Sequence, residues 1–161
     1  MGTAFVKVLA ALIAIAALVL VLGLSGALFS LWPTSFPDQS LRITPEVLAE
    51  LQALKDERKF VRDENTFYPG APTEAVRASA QASVDAIIQS LVTELPPHPR
   101  RSVVLAKFKR ALIGLEQHES EERDQALVYL DRIMSIVGVN NSGELLNVWR
   151  YGFPYGWFLR T

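Results

Sequence analysis

Few side chains in this sequence could act as bases, nucleophiles or metal ligands. The chain has two histidines and no cysteine, which excludes thiol nucleophiles, disulfide bonds and cysteine-rich zinc sites. His98 lies in the proline-rich corner "PPHPRR", where we expect the imidazole to face solvent. His118 lies in "EQHESEERD", within an acidic cluster that also contains Glu116, Glu119, Glu121 and Glu122.

The acidic cluster around His118 has two interpretations. Carboxylates suit hard divalent cations, so the cluster could hold such an ion weakly. However, no two of its residues have the spacing of a recognised metal site, and acids are also favoured at the positive end of a following helix. We therefore favour a solvated turn and predict no metal site.

Catalysis by a serine nucleophile or on a bound phosphate also lacks support. A nucleophile needs a neighbouring base and an orienting acid, and no serine lies in a strained G-x-S-x-G turn. The glycines are scattered rather than gathered into a phosphate-binding loop. The net charge of −1 gives no reason to expect nucleic-acid binding. We predict a protein that is not an enzyme, with no catalytic residue, no cofactor and no nucleic-acid partner.

The C-terminal stretch "NVWRYGFPYGWFLRT" is rich in aromatic residues. Trp149 has helical spacing from Leu145 and Leu146, so we expect it in the core. After Gly152, glycine and proline forbid a helix, and we predict an aromatic tail at residues 153–161. The tail could cover the core, lie in the lipid headgroup layer, or bind a partner, because Tyr and Trp combine a large rigid surface with a polar group. The candidate partner or membrane contacts are Tyr151, Phe153, Tyr155, Trp157 and Phe158.

The N-terminal stretch from Ala4 to Trp32 is apolar and carries no charge after Lys7. As a helix it would span about 43 Å, at ~1.5 Å per residue, whereas the hydrocarbon core of a membrane is about 30 Å thick. We predict a cytoplasmic stub and transmembrane signal anchor over residues 1–32, with the excess length accommodated by tilt. A cleaved signal peptide is the alternative, and "GLSGAL" offers weak cleavage sites for it.

The charges that flank this helix predict its orientation. Lys7 and the N-terminal amine lie at one end, and the first cation after the other end is Arg42. By the positive-inside rule the N-terminus is cytoplasmic and the C-terminal domain lies outside. In a Gram-negative bacterium, this makes the chain a single-pass protein of the inner (cytoplasmic) membrane with its domain in the periplasm.

Small residues recur along the anchor at i, i+4 spacing, as Gly23 with Ala27 and Gly26 with Ser30. Such steps let two membrane helices approach closely. We favour the simpler interpretation that small residues are common in membrane helices, and we keep these four positions as candidate transmembrane packing residues.

After a linker at residues 33–43, apolar residues recur with the helical period of about 3.6 residues. Hydroxyl residues mark the helix starts, and several of them suit the N-cap position: Thr44, Thr73, Ser102, Ser120 and Ser142. We therefore predict an all-α protein in which a single N-terminal transmembrane helix is followed by a small four- to five-helix bundle. The bundle occupies residues 44–152, with antiparallel neighbours and short connections.

The third helix of the predicted bundle is basic, and the sequence that follows it is acidic. The cations are Arg100, Arg101, Lys107, Lys109 and Arg110, and the acids lie between Glu116 and Asp131. We expect these faces to be solvated and to pair with each other in part. Contact of the basic end with anionic headgroups is the alternative.

The stretch "ALVYLDRIMSIVGVNNSGELLNVWRYGF", from Ala126 to Phe153, resembles a bacterial family of small helical domains of unknown function. The resemblance rests on the motifs "IM-IVG", "NSGELLN" and "W-YGF", and it extends over about Thr44 to Phe153. It implies a helical domain and assigns no catalytic residue. The anchor and the last residues, "PYGWFLRT", lie outside it.

These features predict a membrane-tethered domain that binds another protein outside the cytoplasm. Its design is similar to that of bacterial immunity proteins, which are often small, non-enzymatic and tethered to the membrane. The alternative is an accessory single-pass subunit of a membrane complex, in which the anchor itself is the interaction surface.

Overall fold

Six helices form most of the chain that the computed structural model describes, which comprises residues 2–32 and 38–152. The helices are α1 (Gly2–Leu31), α2 (Pro45–Asp56), α3 (Glu74–Glu94), α4 (Arg101–Leu115), α5 (Ser120–Val137) and α6 (Leu145–Tyr151). Within this part of the chain, the β-type pairing is limited to two isolated antiparallel bridges. The predicted all-α class, with an apolar N-terminal helix and a bundle of four to five helices, is confirmed.

Helix α1 is apolar over a length that suits a membrane. Its stretch Val6–Leu24 has a mean hydropathy of 2.8, and none of it is buried against the rest of the protein. A membrane-spanning helix and a signal sequence share these properties, so α1 could be either.

Threonine side chains begin the first two helices of the bundle, as predicted. Thr44 Oγ1 accepts a hydrogen bond from the Val47 N–H at 3.4 Å, and Pro45 occupies the first turn. Thr73 Oγ1 accepts from the Val76 N–H at 3.2 Å. Each hydroxyl satisfies a backbone donor that the helix cannot pair internally.

The start of α4 differs from the prediction, because Ser102 is not its cap. The helix begins at Arg101, and no side chain at the cap position bonds to it. Instead, the Asp38 carboxylate accepts from the Ser102 N–H at 2.9 Å and from the Ser102 hydroxyl at 3.0 Å. Asp38 also pairs with Arg100 at 3.0 Å. A residue distant in sequence therefore caps this helix.

The described part of the predicted linker is docked on the bundle. The Leu41 N–H donates to the Pro99 carbonyl at 2.8 Å, and the Arg101 N–H donates to the Gln39 carbonyl at 2.8 Å. The Leu41 side chain is buried in the core. From Asp38 onward, the chain therefore packs as part of the bundle.

The bundle is organised around α3 and α5. These two helices contact each other, and both contact α2 and α4, whereas α2 and α4 make no contact with each other in the described residues. Helix α6 closes against α4 and α5. Helices α2 and α4 therefore lie on opposite sides of the α3–α5 pair.

The core consists of the apolar faces that the helical period predicts. Burial of a large aliphatic or aromatic side chain is worth about 1.5–3 kcal/mol, so a set of this size can stabilise a small domain without disulfides. The large apolar side chains that are fully buried include Leu51, Phe60, Val84, Ile88, Leu91, Leu95, Leu105, Phe108, Leu115, Leu130 and Ile133.

The ends of the last two helices follow local sequence signals. Gly138 ends α5 in the left-handed conformation, with φ of 77°, and its N–H bonds back to carbonyls of the last turn. At the start of α6, Glu144 occupies the cap position that was predicted for Ser142. Ser142 nevertheless supports this start, because its carbonyl and hydroxyl oxygens accept from the N–H groups of Leu145 and Leu146. Helix α6 ends just before Gly152, as predicted.

Among the described residues, the basic side chains of α4 form no ion pair with the acids of α5, contrary to the prediction. Lys107 pairs with Glu94 on α3. Arg101 is buried, and its guanidinium donates to Asn141. Lys109 donates to the Trp32 carbonyl at 2.9 Å, at the end of α1. The cations of α4 therefore join this helix to α3, to the α5–α6 turn and to the segment that follows α1.

Candidate interaction site

The segment between α2 and α3, residues 57–73, is held to the bundle by a buried lysine. We call this segment the α2–α3 loop. The Lys59 side chain is 0% exposed. Its ammonium lies 2.7 Å from the Asp85 carboxylate and donates to the carbonyls of Lys55 and Glu57 at 2.9 and 3.0 Å. These carbonyls lie at the C-terminus of α2, where a cation is favoured by the helix dipole.

Two side chains of α3 secure the loop further. Gln81 accepts a hydrogen bond from the Lys59 N–H at 3.1 Å. Arg77 donates to the Lys59 carbonyl at 3.2 Å and also bonds to Gln81. Both backbone polar groups of Lys59 are thereby satisfied inside the protein.

The next residue, Phe60, turns the loop onto α5. It has φ of 57°, a left-handed conformation that costs energy for a bulky residue. Its N–H donates to the Tyr129 hydroxyl at 3.2 Å, and its ring packs against Tyr129 with centroids 5.2 Å apart. Tyr68 meets the same ring edge-on at 6.4 Å. This aromatic cluster compensates for the strained backbone.

A short hairpin follows, and its tip is residues 64–67, which we call the loop tip. The N–H of Asp63 bonds to the carbonyl of Tyr68, and the reverse bond also forms, each at 2.9 Å. The Asp63 carboxylate accepts from the Asn65 N–H at 2.9 Å, an arrangement typical of turns. This hydrogen bond lowers the pKa of Asp63.

Two hydrogen bonds fix the loop tip to α5. The Tyr68 hydroxyl donates to the buried Glu122 carboxylate at 3.1 Å, and the Thr66 hydroxyl donates to the Gln125 side-chain oxygen at 3.0 Å. Burial, followed by the charge of Glu122, raises the pKa of Tyr68. The phenol therefore stays protonated at neutral pH and remains the donor in this contact.

Phe67 protrudes from the loop tip. Its side chain is 92% exposed, and its φ is 55°. Both neighbours in sequence are tied to α5, so the ring is presented on a rigid support. A strained backbone persists only where its surroundings enforce it, and such positions cluster at functional sites.

Two shallow clefts flank Phe67, and their lining is acidic. The first cleft, of about 240 Å³, lies between the loop and α5. The second, of about 590 Å³, lies along the hairpin. One cation and four carboxylates line them: Arg62, Asp63, Glu64, Glu121 and Asp124. Phe67 is therefore flanked by carboxylates on both sides. Two of them are ion-paired, Glu64 with Arg62 and Asp124 with Arg150.

Of the partner or membrane contacts predicted from the sequence, the structure describes only Tyr151. Tyr151 ends α6, is 52% exposed and lies under the Arg150 guanidinium, 5.6 Å from the ring centroid. Phe153, Tyr155, Trp157 and Phe158 lie outside the described residues. Trp149 is half-buried and packs against the core, as expected.

The candidate packing residues of the anchor all belong to α1. At Gly23, an added Cβ would meet nothing within 4 Å, so no other part of the described chain packs there. The side chains of Gly26, Ala27 and Ser30 lie outside what the structure describes.

The acidic cluster around His118 is divided by the fold. Glu122 points into the protein towards Tyr68, whereas Glu116, Glu119 and Glu121 are exposed. In residues 2–32 and 38–152, no three His, Asp or Glu side chains are grouped so that they could hold a metal ion. His98 is exposed, as expected.

Sequence reasoning missed Phe67 and Lys59. Phe67 lies in the stretch "RDENTFYPGAP", whose proline and glycine residues by themselves indicate only a break between helices. One signal was available in it, because a large aromatic residue among turn-forming residues is a candidate for exposure. Lys59 gave no signal, because it continues the charged run "KDERK", which is typical of a solvated helix end.

Comparison with known families assigns most of the chain to one family. Residues 42–154 match the model of a domain of unknown function, DUF4844. The chain belongs to this family. No match to a curated protein or to a solved structure was found.

The DUF4844 domain begins just after the docked segment and includes α2 to α6. The family boundaries agree with the resemblance over Thr44 to Phe153 that the sequence indicated. Helix α1 lies outside the DUF4844 domain, so the membrane or signal helix and the family domain are separate parts of the chain. Phe67 and the α2–α3 loop lie within the family domain.

Proposed function

We propose that this protein is a non-enzymatic, membrane-tethered domain that binds another protein through the tip of its α2–α3 loop. The observation that carries the proposal is the exposure of Phe67, at 92%, on a loop fixed by buried hydrogen bonds. Aromatic side chains dominate the energy of many protein interfaces. A rigid support lowers the entropy lost on binding.

The charge around Phe67 indicates the chemistry of the partner. The flanking clefts carry four carboxylates and one cation. A hydrogen bond from its own backbone, with a second from Ser120, lowers the pKa of Glu121, which is therefore ionised at neutral pH. The complementary surface is an apolar pocket that accepts an aromatic ring and is bordered by Lys or Arg.

In this proposal, the orientation of α1 in the membrane determines the compartment in which the bundle lies. With α1 as an uncleaved anchor, the positive-inside rule puts Lys7 in the cytoplasm and the bundle in the periplasm or outside the cell. The protein is then a bacterial inner-membrane protein whose domain meets partners outside the cytoplasm. Binding and neutralising a toxin, as an immunity protein does, is one activity of this design.

The alternative is an accessory subunit of a membrane complex. It is supported by the complete exposure of the stretch Val6–Leu24 and by the open space at Gly23, which leave a helix surface for another membrane protein. In that case, the contacts that matter are made by α1 rather than by Phe67.

Capture of the full-length protein from gently solubilised membranes, with mass spectrometry of bound proteins, tests the proposal. Phe67→Ala should release the partner, because truncating a central aromatic residue at an interface costs about 2 kcal/mol, or roughly thirty-fold in affinity. The matched control is Ile113→Ala, which removes another exposed apolar side chain, on α4, and should leave capture unchanged.

Exchange of α1 for an unrelated membrane helix separates the two functions. A partner that is retained after the exchange but lost with Phe67→Ala supports the tethered binding domain. Loss on exchange, with no effect of Phe67→Ala, supports the accessory subunit instead. Glu121→Lys should weaken capture if the partner has a basic rim, and strengthened capture would contradict the proposed partner chemistry.

A further inference from the structure

A second apolar side chain protrudes from the bundle, on the side opposite α2. Ile113 of α4 is 70% exposed. Lys109 and Arg110 precede it by four and three residues, so the three side chains share one face of the helix. We call these three residues the α4 patch.

The position of a bilayer relative to the bundle follows from α1. Helix α1 has 30 residues, Gly2–Leu31, and spans about 45 Å, which is longer than the hydrocarbon core of about 30 Å and similar to a bilayer with its headgroup layers. The sequence carries no charged residue between Lys7 and Asp38. With α1 as a tilted membrane anchor, Trp32 at its end therefore lies in the headgroup layer, where interfacial aromatic residues are favoured.

The bundle meets the end of α1 through α4. The Trp32 carbonyl accepts a hydrogen bond from Lys109 Nζ at 2.9 Å. A cleft of about 280 Å³ lies between Trp32 and helices α4 and α6, and Ile113 and Trp149 are among its lining residues. The Asp38 contacts with Ser102 attach the chain to α4 at a second point. In the described residues, α4 therefore provides the hydrogen bonds between the bundle and the chain at the end of α1.

We infer that the α4 patch lies against the lipid headgroup layer, with Ile113 inserted among the headgroups and Arg110 directed to lipid phosphates, while Lys109 stays bonded to the Trp32 carbonyl. This inference rests on the proposed function only for the assignment of α1 as an uncleaved membrane anchor. An apolar residue flanked by long cationic side chains is the chemistry of interfacial binding, since the stems cover apolar surface and the charges meet phosphate. The carboxylate of Glu116 also lines the cleft and offsets part of the positive charge. Insertion of Ile113 therefore contributes more to membrane contact than the net charge of the patch does.

The absence of cysteine from the chain allows a direct test. In the full-length protein, Ile113→Cys carries a nitroxide spin label, and the protein is placed in nanodiscs of phosphatidylethanolamine and phosphatidylglycerol. The matched control is Ala49→Cys. Residue 49 is exposed and lies on α2, a helix that makes no contact with α4 in the described residues. We expect the label at residue 113 to be several-fold less accessible to a water-soluble nickel chelate than the label at residue 49, and more accessible to oxygen.

Two results would overturn the inference. One is equal accessibility of the two labels to the nickel chelate. The other is dipolar broadening of the label at residue 113, which would show that a second copy of this chain, rather than lipid, covers the patch. A label at Ala106 controls for an effect of replacing Ile113 itself. This residue is exposed and lies seven positions earlier on the same face of α4, so its label should also be less accessible to the nickel chelate.

This test is independent of the Phe67 partner, because the nanodiscs contain only lipid and the purified chain. Shielding at residue 113 with no loss of capture in Phe67→Ala would retain the α4 patch and reject the binding role of the loop tip. Solvent exposure at residue 113 with loss of capture in Phe67→Ala would do the reverse.

Discussion

Two protruding apolar side chains, Phe67 and Ile113, are supported in different ways. Phe67 stands on a loop with two non-glycine residues at positive φ, held by a buried lysine and by hydrogen bonds to α5. Ile113 stands within a regular helix, whose backbone needs no special support. Exposure of Phe67 thus requires a dedicated structure, whereas exposure of Ile113 requires only an apolar residue on an outer face. This difference agrees with the two proposals, a specific protein partner for the loop tip and a lipid surface for the α4 patch.

Removal of the buried Lys59, which holds the α2–α3 loop, should lower the free energy of unfolding the most. Lys59→Met leaves Asp85 and two carbonyls without their cation, and loss of one partner from a buried ion pair costs about 3 kcal/mol. Urea unfolding of the full-length protein in a mild detergent measures this loss. Lys55→Met is the control, since its ammonium bonds to Gln89 in an exposed setting, and it should cost less than about 0.5 kcal/mol. Equal effects would mean that the loop is not held by Lys59.

Loss of the hydrogen bond between Tyr68 and Glu122 should have the second largest effect on the free energy of unfolding. Tyr68→Phe leaves a buried carboxylate without its donor, at a cost of about 2 kcal/mol. Unfolding midpoints measured in urea should show this loss, whereas Tyr151→Phe, at an exposed position, should show none.

The same contact predicts an alkaline dependence of stability. The pKa of Tyr68 is raised in the folded protein above its ordinary value of 10.0 by burial and by Glu122. Its contribution is therefore complete below pH 10.0 and is lost as the pH rises towards the folded value. Unfolding midpoints of the native protein should fall in this range more steeply than those of Tyr68→Phe. Parallel curves would contradict the buried contact.

On the α4 side, removal of the distant cap should have a smaller effect. Asp38→Ala leaves the first turn of α4 without an acceptor, and loss of an N-cap costs about 1 kcal/mol. Burial alone would raise the pKa of Asp38, but the hydrogen bonds from Ser102 and Arg100 outweigh it and lower the pKa.

The stabilisation by Asp38 is therefore present above its ordinary pKa of 3.8 and is lost as the pH falls below that value. Unfolding curves recorded in acid should show this loss in the native protein but not in Asp38→Ala. Asp56→Ala, at an exposed position on α2, is the control. An unchanged acid dependence in Asp38→Ala would show that α4 is not capped from the docked segment.

The two protruding residues themselves should matter least for stability. Phe67→Ala and Ile113→Glu should each change the free energy of unfolding by less than about 0.5 kcal/mol, because both side chains are exposed. Their other effects should differ. Phe67→Ala should abolish partner capture, whereas Ile113→Glu should make a spin label at residue 106 more accessible to water and leave capture unchanged. If either substitution affected both measurements, the two surfaces would not be separate.

Local signals allowed the sequence to predict the helices and several of their ends. Thr44 and Thr73 cap the helices that follow them immediately, and Gly138 ends α5 by adopting a left-handed conformation. The apolar period predicted the core, because a helix must bury one face. The cap of α4 could not be predicted in this way, since Asp38 is separated from Ser102 by 64 positions.

The candidate site was hidden because it depends on contacts that are distant in sequence. The burial of Lys59 requires Asp85 on α3, and the support of the loop tip requires Glu122 and Gln125 on α5. In the sequence, Glu122 belongs to an acidic run that suits a helix N-terminus. The C-terminal stretch is recognisable by its high content of aromatic residues, whereas one phenylalanine such as Phe67 gives no compositional signal.

The bonding of both Trp32 and Asp38 to α4 restricts how the domain can move. Only residues 33–37 separate the two, and even a fully extended chain of this length reaches about 20 Å. With α1 as the proposed membrane anchor, these contacts would limit movement of the bundle relative to the anchor, and Phe67 would stay at a nearly constant distance from the bilayer. A partner embedded in the same membrane would find it by lateral diffusion in two dimensions, whereas a partner arriving from solution would have to approach from one direction.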